Sequence, residues 1–275
     1  MSKAVTMLCA LASCWLAVAH AGAAETPLQA HYAGYAKGLN LFDIDIAVTL
    51  HRADYRLEAS FKLVGVLAAL LSANGSTVVD GRFTTGRTTP RALMSRAHFG
   101  GKDHVLQIGW PNDQPTIIQM VPPPEPGREP VAVEDRAQTI DTLSAIAGLM
   151  HQVTETGRCE NATRTFDGER LMEFDARTAG EETLEPTPRS SFQGAALRCD
   201  VTARMIGGFM VDSNHAKARE PKHGTAWFAR LQPDQPAIPV RIVFYDKGSP
   251  SATLYLRQPQ PQPQPPPAPA DAAMK

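Results

Sequence analysis

The 275-residue chain is expected to form an all-β, mainly antiparallel fold with one main helix packed on the sheet. Three observations lead there. Apolar and polar residues alternate with a period of two along most of residues 25–257, which is the pattern of half-buried strands. Turn-forming residues punctuate that alternation at short intervals. A single segment, beginning at Asp141, switches to helical spacing.

The first strand is expected over His31–Lys37, with a turn at Gly38-Leu39-Asn40. Ile44, Ile46 and Val48 alternate with Asp43, Asp45, Ala47 and Thr49. Tyr55, Leu57, Ala59 and Phe61 alternate with Arg56, Glu58 and Ser60, so two strands joined through His51-Arg52-Ala53-Asp54 follow. Leu63–Leu71 is more apolar than a one-sided strand requires, and buried packing is the expectation for it. The alternative is a short helix lining a pocket or resting on a membrane. Asn74-Gly75 and Asp80-Gly81 read as turns, because both dipeptides tolerate positive φ.

Further strands are expected at 92–99, 104–110 and 116–121, and the prolines of 122–130 then form an extended connector. Asp141 can cap the helix, in which Leu143, Ile146, Leu149 and Met150 share an apolar face that would line the concave side of the sheet if the helix is a lid, and that is equally read as ordinary core. Gly148 weakens the helix locally. Cys159–Phe166 and Arg170–Ala176 form a hairpin about Asp167-Gly168, and residues 178–188 read as a loop. Strands resume at 195–205, 224–231, 239–245 and 252–256.

Residues 1–24 have the order of a secretory signal peptide: Lys3, an apolar run, then small residues before Glu25. Cleavage is expected after Ala21 or Ala24. Leu11-Ala12-Ser13-Cys14 also has the form of a lipoprotein site, which would lipidate Cys14, although the apolar run continues past it. Residues 25–257 are expected to form one domain, and 258–275, rich in Pro and Gln, a disordered tail. Without the leader, 26 Lys and Arg face 28 Asp and Glu, which argues against a nucleic-acid partner. No other segment reaches transmembrane length. Export from the cytoplasm is the expectation, and in an oxidising compartment Cys159 and Cys199 most simply form a disulfide; free thiols, or a redox or metal role, are the alternatives.

Chemistry leaves less trace. There is no Gly-x-Ser-x-Gly elbow, no P-loop and no His-Glu-x-x-His pair. His98 and His104 could face each other across Gly100-Gly101 and hold a metal, but cross-strand polar pairing is commoner. Asp43 and Asp45 share a strand face, more simply as its solvated side than as a paired acid site. Asn161-Ala162-Thr163 has the form of a glycosylation sequon on a strand. No catalytic residue, metal or cofactor is assigned.

The order of several features resembles a family. Tyr32, Gly34, Tyr35 and Gly38 in the first strand are followed by Tyr55, then Asp141-Thr142-Leu143-Ser144-Ala145 opening the helix. Asp167-Gly168, Cys199 with Gly207, and Pro239-Val240-Arg241-Ile242 complete the set. Together, over roughly residues 28–257, they resemble the exported bacterial domain-of-unknown-function family 3108. That resemblance implies a Gram-negative periplasmic protein with a long, strongly curved antiparallel sheet or open half-barrel like those of lipoprotein carriers, and it supplies no catalytic residues. The resemblance does not place Leu63–Leu71 or the tail in its pattern. The expected function is therefore non-enzymatic: binding of a lipid or other apolar ligand in a curved sheet of the cell envelope. Assembly of envelope proteins through a sheet edge or the tail is the first alternative, and hydrolysis of an envelope polymer the second.

Overall fold

The computed structural model describes residues 27–257; the leader with Cys14, and the tail, lie outside the described residues. The strands in chain order are β1 (Leu28–Ala36), β2 (Leu39–Leu50), β3 (Asp54–Leu63), β4 (Ala73–Thr84), β5 (Arg87–Phe99), β6 (Lys102–Gly109), β7 (Thr116–Val121), β8 (Asn161–Phe166), β9 (Leu171–Leu184), β10 (Gly194–Gly207), β11 (Lys222–Arg230), β12 (Ala237–Asp246) and β13 (Ser249–Arg257). The helices are α1 (Gly65–Leu70), α2 (Thr142–Thr156) and α3 (His215–Ala218).

All thirteen strands join one antiparallel sheet in the order β7-β6-β5-β4-β3-β2-β1-β13-β12-β11-β10-β9-β8. The first and last strands pair in its middle, with His31 opposite Arg257 and Tyr35 opposite Thr253. The two free edges, β7 and β8, are consecutive in the chain, so the sheet stays open where residues 122–160 connect them.

The alternation read from the sequence places the core. Leu28, Val48, Leu57, Val79, Leu93, Ile108 and Ile117 stand opposite one another, strand to strand, in a continuous row from β1 to β7. Five of them are buried, and Leu28 and Ile117 pack against the same core. Arg56 and Glu58, one residue out of phase in β3, point to solvent and pair at 2.8 Å. Pro90 and Pro239 lie inside strands, each beside a register break, opposite Gly81 and Phe228. Bulges of this kind spare the ladder the missing proline donor.

Helix α2 is held at its N-terminus by a buried chain of hydrogen bonds. Ser144 N–H donates to Asp141 Oδ1 at 2.8 Å, Ser144 Oγ to Asp141 Oδ2 at 2.5 Å, and Tyr55 Oη to Ser144 Oγ at 2.7 Å. Gly157, with φ of 66°, ends the helix in the left-handed conformation. Just before the helix, Ile140 makes a two-bond parallel pair with β8: its N–H donates to Arg164 O, and Phe166 N–H donates to its carbonyl. Cys159, at the end of the connector, is disulfide-bonded to Cys199 of β10 with Cα atoms 6.0 Å apart.

Four local expectations are corrected. Asn74-Gly75 and Asp80-Gly81 are not turns but lie within β4, where glycine serves close approach: a Cβ on Gly81 would fall 2.4 Å from Tyr55 Oη and 2.5 Å from Thr89 O. Residues 178–184 continue β9 instead of forming a loop, since β10 is long enough to pair with them. Leu63–Leu71 is not core; it ends β3 and forms α1, and none of its residues is buried. Gly148 is not a mere weakness, because a Cβ there would meet Thr88 Oγ1 at 2.3 Å.

Three outcomes follow for stability. Gly81→Ala, despite its better strand propensity, is expected to lower unfolding free energy by about 1–3 kcal/mol through overpacking against Tyr55; urea titration checks this, and an unchanged midpoint refutes the close-approach argument. Cys199→Ser should cost ~4 kcal/mol on the chain-entropy model for the loop it opens, read in the same way. Burial pushes the Asp141 carboxyl above the usual aspartate range, against the lowering effect of the Ser144 bonds. The unfolded chain then loses this proton first as pH rises, so this group's stabilisation declines from the ordinary aspartate range upward. Asp141→Asn should flatten that decline, whereas Asp141→Ala should cost about 1–2 kcal/mol by removing the cap. Unfolding midpoints from acid to neutral pH separate the two.

Candidate functional site

The open seam of the sheet holds a cavity of about 1340 Å³. One wall is α2, through Ala145, Gly148, His151, Gln152 and Glu155. Phe83 and Thr88 from β4 and β5 form a second, and β8 to β10 supply Thr163, Phe174, Asp175 and Thr202 among others. Gly148 lets Thr88 reach the helix backbone. His151 stacks on Phe83 with ring centroids 3.9 Å apart and planes 6° from parallel. Burial lowers the His151 pKa, and nearby Glu155 opposes that shift, so the ring at neutral pH is an uncharged, flat wall.

The charged side chains of the cavity are largely neutralised by neighbours. Arg177 pairs with Asp175 at 2.7 Å, Arg204 with Glu173 at 2.6 Å and Arg198 with Asp200 at 3.1 Å. Hydrogen bonding from Arg158, 2.9 Å away, holds the Glu160 carboxyl down at about 2. Arg164 differs. One of its terminal nitrogens donates to Asp135 O at 3.1 Å, while its buried Nε has no acceptor. Arg87, at the rim of the same cavity, makes no ion pair among the described residues. The space is thus lined by apolar rings, hydroxyls and two guanidinium groups with unused donors.

Apart from Asn161-Ala162-Thr163, the candidate site residues singled out from the sequence do not line this cavity. Met150 is buried in the core, and Leu143, Ile146 and Leu149 are half-buried and packed against it; none of the four lines the cavity. The cavity takes another face of the same helix, whose small and polar residues Ala145, Gly148 and Gln152 were visible as a stripe between the leucines. His98 and His104 do not meet: His98 stands opposite Asp103 and His104 opposite Ala97, so they project from opposite faces, and His98 bonds Asp103 at 2.8 Å. Among the described residues no group of three or more His, Cys, Asp or Glu could hold a metal. Asp45 pairs with His31 at 2.7 Å on the solvated side of β2. The Asn161-Ala162-Thr163 sequence lies on β8, at the seam. The Tyr55–Ser144–Asp141 chain has acid and hydroxyls in register, yet Ser144 and Asp141 are fully buried and its bonds are used to fix the helix.

No helix among the described residues is long and apolar enough to cross a membrane, which says nothing of strands. No curated protein matches the chain. A solved β-barrel-like protein of domain of unknown function DUF1849 from Brucella abortus aligns with 84% of this chain and 97% of its own, at 10% identity and a TM-score of 0.45. The model of the family described as "Protein of unknown function (DUF3108)" matches residues 29–257. The chain therefore belongs to that family.

Proposed function

We propose that this DUF3108 member is an exported, periplasmic protein that binds rather than catalyses, holding a lipid-like amphiphile in the seam cavity. The observation that carries the reading is the cavity itself. At about 1340 Å³ it exceeds the ~300–1,000 Å³ usual for small-molecule sites, and its wall mixes aromatic rings with polar groups. Phe83, Ile140 and Phe174 would take an acyl portion, and Arg164 with Arg87 an anionic head group. The non-catalytic half of the reading is supported by four of the five acids of the cavity wall: Glu160, Glu173, Asp175 and Asp200 are each paired with an arginine, which leaves them poorly suited to general acid or base work, while the fifth, Glu155, stands near His151.

One observation favours a second reading, an envelope assembly factor that adds a partner's strand. Among the described residues Ile140 alone pairs with the outer edge of β8, so the edge beside the cavity at Asn161–Thr163 has room for an extended segment.

Native mass spectrometry of protein purified from its own compartment, followed by organic extraction, tests the two. A reproducible adduct that extracts as lipid, and that is lost in Ala145→Trp, is expected. A bare mass in the wild type, two hydrogens below the reduced value, removes the ligand reading and leaves strand addition.

A further inference from the structure

Because the sheet is an antiparallel meander, alternate connections collect at one end. The β8–β9 and β10–β11 connections lie there with those of β1–β2, β3–β4, β5–β6 and β12–β13, and the strand order makes the last four neighbours in space. Each of these four brings a lysine together with exposed large apolar side chains: Lys37 with Leu39, Lys62 with the α1 segment, Lys102 with Phe99, and Lys247 with Phe244. The α1 segment is the centre. From Leu63 to Leu71 no side chain is polar, and Val66, Leu70 and Leu71 are 56, 78 and 53% exposed. At the other end of the sheet, the exposed side chains of this kind among the described residues are Leu231, Val133 and Ile118, the last beside Gly109 at the end of β6.

A soluble surface rarely shows a contiguous apolar patch of this sort without a partner. Its composition selects the partner. Interfaces between proteins deplete lysine and draw their energy from Trp, Tyr and Arg, with Leu and Val under-represented. Leu, Val and Phe flanked by lysines fit a bilayer surface, where the apolar groups enter the acyl boundary and the lysine stems snorkel to phosphates. The acids nearby do not reverse this: Asp103 bonds His98 at 2.8 Å, Asp43 stands opposite Lys62, and Asp246 is followed directly by Lys247. We propose that this rim docks reversibly on a bilayer containing anionic phospholipid, with α1 entering the head-group layer. The docking stands independently of the ligand assigned to the seam.

Flotation of the disulfide-bonded protein with vesicles of phosphatidylethanolamine and phosphatidylglycerol, and with vesicles of phosphatidylcholine alone, tests it. The wild type should float with the anionic vesicles. The triple variant V66S/L70S/L71S, altered only on an exposed helix and with an unchanged unfolding midpoint, should bind at least about tenfold more weakly. K37Q/K62Q should lose about fivefold per lysine, and added salt should mimic it. A wild type that stays at the bottom of the gradient, or a triple variant that floats as well as the wild type, overturns the docking. Equal binding to both vesicle types, or by the lysine variant, overturns the anionic assignment.

Discussion

The pairing of β1 with β13 is the constraint on which the rest of the architecture hangs. It seats the two ends of the domain side by side in the middle of the sheet and so moves both free edges to the middle of the chain. A buried bond reinforces the region: Tyr32 Oη donates to Pro239 O at 2.7 Å, and burial keeps that phenol neutral well above its ordinary range. Since β7 and β8 are then both edges, one connector of the chain must run between them, and this connector does three jobs. It extends β8 through Ile140, inserts α2 against the concave face, and anchors itself to β10 through Cys159.

The polar groups follow the same economy. Deep in the fold they are few and mutually satisfied, as in the Tyr55–Ser144–Asp141 chain and the Trp110 indole donating to Thr139 O at 2.8 Å. Along the seam they are many and paired as ions, with Arg164 Nε left over. At the lysine rim they give way to apolar side chains. The seam and the rim are thus chemically distinct surfaces on one sheet, and neither occupies the helix face whose leucines looked most like a binding lid.

What was legible in the sequence was whatever depends on neighbours in the chain. The alternation of Ile44, Ile46 and Val48 and of Tyr55 and Leu57 assigned strands and their inward faces, Asp141 marked the helix start, and Asp167-Gly168 marked a hairpin where Asp167 Oδ1 accepts from the N–H groups of Glu169 and Arg170. Cys159 and Cys199, the two cysteines of residues 25–257, foretold the disulfide. What was not legible depends on distant partners. Gly75 and Gly81 looked like turns because their reason lies in rings from β3, Phe61 and Tyr55. The extent of β9 was set by β10, and the faces of His98 and His104 by a register that the Gly100-Gly101 turn alone does not specify. The cavity was the least visible of all, since its walls come from α2, β4, β5 and β8–β10 and share no local pattern.

The central β1–β13 pair has a consequence for how the chain reaches this state. Its partners, such as His31 and Arg257, are nearly as far apart in sequence as two residues of the domain can be, so loop closure makes this the costliest contact to form. The β1–β7 and β8–β13 meanders can each zip from local hairpins, but neither buries its inner face alone. Completion of the core waits for the last strand. A chain emerging from its N-terminus would stay incompletely folded until β13 is available, and a truncation that removes β13 would cost the whole domain its cooperativity and not merely one edge.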